Sequence, residues 1–305
     1  MAKVIMYPMK FNHIYYEKIW GGRKFEELRS DLPPGNIGES WDVSCHERGK
    51  SVIENGVLHG MELKEAIDKY PLEILGEGCK FHEFPLLIKI ITATDKLSLQ
   101  VHPDDDYALK HENSLGKSEA WYILEAEDEA SIILGMNINN AQEFKSDLED
   151  GTLEEHLNKI YVKEGEVYHI PAGAIHGIGA GCTILEIQQS SDITYRVYDY
   201  GRRETHLDKA LEVIDFSIEE QSNKLKNCEK LGCKTFELQK LETNTAINMN
   251  TNGKFHILTC VHGCGHIIYE GGNVEINFTD SILIPASLDK YEIVGKIKIL
   301  KSSSI

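Results

Sequence analysis

From Phe84 the chain runs FPLLIKIITA, an uninterrupted apolar stretch with the length and β-branched content of a fully buried strand. It then changes to an alternation in KLSLQVH. Successive side chains of a strand point to opposite faces, so Leu97, Leu99 and Val101 take one face while Ser98, Gln100 and His102 take the other. Pro103-Asp104-Asp105 ends the run. EAWYILEA, ASIILGM, EGEVYHIPA and TILEIQQ predict further strands. GMELKEAIDKYPLEILG sets Leu63, Ala66, Ile67 and Tyr70 at helical spacing and predicts a helix broken near Pro71. NAQEFKSDLEDGTLEEHLNKI predicts one or two more helices, and HLDKALEVIDF a short one. Residues 1 to 50 are irregular, with turn signals at Gly21-Gly22, Pro33-Pro34-Gly35 and Gly38.

After Thr235 short strands return in FELQKLE, FHILTCVHG, HIIYE, VEINF, SILIPA and KIKILK. Two β-rich segments joined by a helical connection predict two sheet or barrel units, here residues 1–234 and 235–305, of which the first carries the chemistry. GEVYHIPAGAIHGI and DSILIPASLDKYEIVG each end a strand on Ile-Pro-Ala, followed by His176 in the first and by Tyr291 in the second. The second unit reads as a degenerate copy of the first, its ligand lost.

Composition narrows the classes. A chain of 305 residues with 41% hydrophobic content is globular. No apolar segment approaches the roughly 20 residues that span a bilayer, and MAKVIMYPMKF lacks a signal peptide's apolar core, so a cytoplasmic protein is expected. Seven scattered cysteines without an export signal predict reduced thiols. A net charge of −17 repels nucleic acid and anionic lipid and excludes both as general partners.

Candidate chemistry gathers on the polar strand faces. Lys117, Glu119 and Trp121 lie on one face of the strand after QVH, and His176 follows the turn Ala172-Gly173-Ala174 back toward the sheet. A lone strand histidine is usually structural, but Gln100, His102, Glu119 and His176 together offer two imidazoles and two oxygen donors. That set suits zinc, or another divalent first-row metal, with a position left for water or substrate. His262, Cys264 and His266 also alternate along VHGCGHIIY, but in the degenerate unit, where a glycine-rich strand end explains them and no physiological metal is expected. For Tyr7, Trp20, Trp41 and Tyr198 core packing competes with stacking against a ligand.

LSLQVHPDD, GKSEAWYIL, PAGAIHGI and SDITYRVYDYGR, in that order, resemble the type I mannose-6-phosphate isomerases, particularly the short bacterial form. KIWGG and GESWDVS match the family's N-terminal segment, and the similarity is strong to about Phe216. The resemblance implies a mainly β, double cupin-like fold of jelly-roll barrels with inserted helices. It implies one Zn2+ per chain on Gln100, His102, Glu119 and His176, and interconversion of mannose 6-phosphate and fructose 6-phosphate. It makes Arg196 an active-site residue and places Ser98 and Lys117 with the substrate phosphate. The extra helical domain of larger members has little room in this chain.

The chemistry agrees with the residues. Moving a carbonyl between C1 and C2 requires removal of the C2 proton, which a divalent metal and a guanidinium assist by stabilising the developing enediolate. One base can serve both proton transfers, and Asp192, Glu119, a metal-bound water and His102 are all candidates. Asp192 is placed with the substrate, or it orients Arg196 from four residues away. Lys117, Arg196, Arg202 and Arg203 are candidate phosphate cations; for Arg202 and Arg203 a solvated surface explains the charge equally well. Two rival readings remain, a metal-dependent cupin dioxygenase and a sugar-phosphate-binding module without turnover.

Overall fold

The structure is a computed structural model that describes residues 6–77, 84–218, 224–225, 230–233 and 235–305. It is mainly β. The expected break at Pro71 is present, with a helix over Leu63–Lys69 and a second, shorter one over Pro71–Ile74 that takes Pro71 in its first turn, where a missing N–H costs nothing. The helix Ala141–Asp150 starts where the Asn140 side chain accepts from the Glu143 N–H at 2.9 Å, buries Phe144 and ends at Gly151 in the left-handed region. Leu207–Val213 forms the short helix predicted from HLDKALEVIDF. Asp105–Glu112 is also helical, although its pattern does not announce it. It buries Ala108 and is nucleated by Asp104, whose carboxylate accepts from the Tyr107 N–H at 2.9 Å.

The chain divides into two compact units, one from Met1–Ile14, Ser40–Lys89 and Cys228–Ile305, the other from Tyr15–Glu39 and Ile90–Asn227. Segments within 1–234 therefore contribute to both, and Lys234, at the expected boundary, lies outside the described residues. The physical reason for the interleaving is strand pairing that local pattern does not encode. Met9 and Leu283 exchange backbone hydrogen bonds of 2.8 and 3.0 Å, which joins the N-terminal segment to the last strands.

In the first unit the sheet order is Lys230–Gly232, Phe236–Thr243, Lys290–Ser304, His256–Tyr269 and Gly272–Asn277. Ala246–Asn250 pairs with Lys290–Ser304, and Ser281–Ile284 with His256–Tyr269. Its core includes Leu258, Ile267, Ile276, Ile293 and Ile299. Tyr291, at the place echoing His176, meets the His256 Nδ1 with its hydroxyl at 2.8 Å in the buried interior.

The second unit has one five-stranded sheet in the order Tyr195–Tyr198, Leu99–Val101, His176–Ile178, Ser131–Met136 and Leu157–Tyr161. Facing it, Glu119–Ala126 pairs on its two sides with Cys182–Gln189 and Val167–Ile170. Trp121, Ile123 and Ile184 from this sheet pack with Ile132, Leu134 and Ile178 from the other. Trp121 links this core to the polar residues, standing edge-on to His176 with ring centroids 5.6 Å apart.

Candidate metal centre

Three loops are bolted to one another around the end of the strand Leu99–Val101. The His102 carbonyl accepts from the Gly173 N–H at 2.9 Å, and the Pro103 carbonyl from the Lys117 N–H at 3.0 Å. Asp105 Oδ1 accepts from both the Gly116 N–H and the Gln189 Nε2, each at 2.8 Å, and Gln189 Oε1 accepts from the Ser118 N–H at 2.9 Å. Glycine is required at 116, because a Cβ there would sit 2.4 Å from the Asp104 carbonyl carbon. The result is a backbone frame that fixes His102, Lys117, Glu119 and His176.

Register completes the arrangement. His176 and Arg196 both pair with Gln100, from the strands on either side of it. Directly opposed residues share a sheet face, so Arg196, Gln100 and His176 form a row across three strands. Arg196 is half-buried, and its guanidinium forms no hydrogen bond or ion pair among the described residues. Its backbone is bracketed by His206, whose Nδ1 accepts from the Arg196 N–H at 3.2 Å while the His206 N–H donates to the Arg196 carbonyl at 2.7 Å.

His102, Glu119 and His176 are fully buried and each offers a ligand atom, all within 4.8 Å of one another. His102 Nε2 lies 3.1 Å from His176 Nε2 and 3.2 Å from Glu119 Oε1. His176 Nδ1–H donates to the Ala174 carbonyl at 2.9 Å, which leaves Nε2 as a lone pair aimed at the cluster. Gln100 Nε2 is 3.3 Å from that atom, and the Ser98 hydroxyl donates to Gln100 Oε1 at 3.4 Å. A turn of the amide about its last bond exchanges Oε1 for Nε2 and offers an oxygen to the cluster.

Charge at this point is finely divided. Burial pushes the His102 imidazole down to about 3, with the Lys117 ammonium adding to the effect. Burial also lowers His176. Both rings are therefore neutral at pH 7, the form that ligates metal. Burial alone would raise Glu119, but the Lys117 ammonium and the His102 contact outweigh it and hold the carboxyl well below its usual range. Converging lone pairs with a shortage of protons, two neutral imidazoles and one carboxylate make a donor set that fits a divalent metal such as zinc.

The other sequence candidates separate clearly. Lys117 is buried, its ammonium 2.9 Å from Glu119 Oε1 and 3.3 Å from His102 Nε2, at the ligand cluster itself. Asp192 is half-buried in the turn before Tyr195–Tyr198. Arg202 and Arg203 converge on the buried Asp199, with Arg203 Nε at 2.7 Å and Arg202 Nη2 at 3.1 Å, and Arg202 also meets Asp95 at 3.1 Å. Their charge is spent within the protein. Trp20 and Trp41 are buried and Tyr7 is hydrogen-bonded to the Asn55 carbonyl at 2.8 Å, while Tyr198 remains exposed. His262, Cys264 and His266 point outward along His256–Tyr269, opposite Lys298 and Lys296 at the first two. Among the described residues, His102, Glu119 and His176 are the one such cluster with metal-ligand spacing.

Glu186 escapes the sequence reading, which places Trp121 on the face of Glu119 but gives it no partner. The indole N–H sits 3.0 Å from Glu119 Oε2 and 3.0 Å from Glu186 Oε2, and Glu186 is 3% exposed. A lone Glu within TILEIQQ gives no signal of burial; only the pairing of Glu186 with Trp121 reveals it.

Comparison with known proteins agrees with this geometry. A family profile described as phosphomannose isomerase type I, catalytic domain, matches residues 9–136, and one described as mannose-6-phosphate isomerase, cupin domain, matches residues 227–304. The chain is 34% identical over 304 residues to the mannose-6-phosphate isomerase ManA of Bacillus subtilis, covering 94% of this chain and 96% of that one. The crystal structure of the mannose 6-phosphate isomerase from Bacillus subtilis superposes with a TM-score of 0.88 at 30% identity, over 97% of this chain and 99% of the other. A mannose 6-phosphate isomerase solved with zinc and yttrium shares the fold, with a TM-score of 0.79 at 16% identity and coverage of 97% and 99%.

Proposed function

The chain belongs to the type I mannose-6-phosphate isomerases, and from that premise we propose a zinc-dependent interconversion of mannose 6-phosphate and fructose 6-phosphate centred on Gln100, His102, Glu119 and His176. The observation that carries the zinc assignment is the buried His102–Glu119–His176 group, whose imidazoles are neutral and whose ligand atoms converge. The zinc in the related structure supports the same choice of metal. Held by these residues, zinc would supply Lewis acidity toward the oxygens on C1 and C2 of the open-chain sugar.

The chain's own residues do the rest. The Lys117 ammonium, 2.9 Å from Glu119 Oε1, favours the ionised carboxylate, the form that ligates metal. Arg196, in line with Gln100 and His176 and without an internal partner among the described residues, meets the negative charge that develops as the C2 proton leaves. Asp192 and Ser98 complete the substrate end of the site in this reading, and the sugar phosphate is the partner molecule. A dioxygenase gains no support from a site lined by Lys117 and Arg196, which suit an anionic substrate.

A coupled assay on mannose 6-phosphate tests the proposal. The protein as purified should hold about one zinc per chain, lose activity in a strong chelator and regain it when zinc is returned. Full activity in metal-free protein would remove the metal from the reaction.

Lys117→Ala, assayed on phosphorylated and unphosphorylated mannose, reports which end of the sugar the ammonium serves. Contact with the phosphate predicts a KM that rises about tenfold or more for mannose 6-phosphate and little for mannose. Equal losses on the two sugars would place the ammonium at the reacting oxygens, beside Glu119 and His102.

A further inference from the structure

Resting on the zinc reading above, we infer that Trp121 and Glu186 form a positioning pair that decides which oxygen of Glu119 faces the metal. Glu119 and Trp121 lie two residues apart on one face of Glu119–Ala126, and Glu186 is the cross-strand partner of Trp121. The single indole N–H lies 3.0 Å from Glu119 Oε2 and 3.0 Å from Glu186 Oε2. With Oε2 engaged in this way, Oε1 is the oxygen turned to His102 Nε2, at 3.2 Å.

Packing alone does not account for this arrangement. A buried indole N–H needs one acceptor, and Glu119 already supplies it. Glu186 brings a second carboxylate to the same N–H from a position only 3% exposed to solvent. What Glu186 adds is a second anchor for the indole, which keeps the ring from rotating away from Glu119. The same ring stands edge-on to His176, with centroids 5.6 Å apart and planes at 75°. Trp121 therefore orients two of the proposed ligands at once, one through its N–H and one through its ring. Partners one layer behind the ligands hold them in register and raise metal affinity.

The test is a double-mutant cycle read as zinc affinity, by competition with a chromogenic chelator, beside the melting temperature of the metal-free protein. Trp121→Phe keeps an aromatic ring against His176 and removes the N–H; its zinc Kd should rise about 10- to 100-fold. Glu186→Gln keeps the shape, loosens the anchor and should raise the Kd about threefold to tenfold. Because Glu186 acts through the indole, adding Glu186→Gln to Trp121→Phe should change the Kd no further, a non-additivity that a general packing defect does not produce. Kd values within twofold of the parent, strictly additive effects, or a lowered melting temperature with unchanged Kd would each overturn the inference. Should Trp121→Phe fail to fold, Glu186→Gln alone carries the comparison. A parent protein that takes up no zinc overturns the functional reading and this inference with it. Zinc-binding parent and equally zinc-binding variants overturn the inference alone.

Discussion

His176→Ala should yield a folded protein that retains no zinc through gel filtration and isomerises mannose 6-phosphate roughly three orders of magnitude more slowly. The imidazole is wholly buried, is fixed in one tautomer by the Ala174 carbonyl, and faces His102 Nε2 at 3.1 Å. Deleting it removes one member of the proposed ligand set and leaves a cavity beside His102 and Glu119, so affinity and geometry should fail together. Loss of about 4 kcal/mol of charge stabilisation at the sugar oxygens corresponds to that factor in rate. A cavity also lowers stability, which is why zinc content and the melting temperature of the metal-free protein belong on the same preparation. A variant that keeps one zinc and its kcat would show that His176 is only a core residue.

Arg196→Ala should lower kcat by roughly 10² to 10³ with KM and zinc content nearly unchanged, because a group that meets charge formed during proton removal interacts most strongly in the transition state. Arg196→Lys should recover part of the loss, since an ammonium keeps the charge but not the planar fork. The competing account, in which Arg196 closes the barrel by pairing with Asp192, is weakened by a guanidinium that forms no ion pair among the described residues. What would sink the catalytic assignment is a normal kcat in a protein with a lowered melting temperature.

Much of this site could be read from local pattern. The alternation in KLSLQVH put Gln100 and His102 on the polar face of a strand because strand geometry alone decides it. Glu119 opens the next strand, whereas Lys117 lies before it and is held by its N–H bond to the Pro103 carbonyl. The function of Lys117 was harder to read, because a cation two residues from a carboxylate can face solvent or the same cluster, and burial selects the second here. Arg202 and Arg203 are ambiguous for a related reason: their partner, Asp199, is three and four positions away, but nothing in VYDYGRR says that it is buried. The helix Asp105–Glu112 was missed because it shows the interior little beyond Ala108, so no apolar period exists to find. Glu186 lies beyond any sequence argument of this kind, since its surroundings are set by a cross-strand neighbour more than sixty positions away in the chain.

The exchange of hydrogen bonds between Met9 and Leu283 also dictates an order of events on the ribosome. Tyr15–Glu39 and Ile90–Asn227 are complete once Asn227 has left the exit tunnel, so the unit that bears the ligand cluster is free to collapse while synthesis continues. The other unit has to wait. Met9, buried in its first segment, exchanges hydrogen bonds with Leu283 and so finds that partner only after Ser281–Ile284 has been made. Until then Met9 waits in the nascent chain without that partner, and slower synthesis beyond Asn227 lengthens the wait.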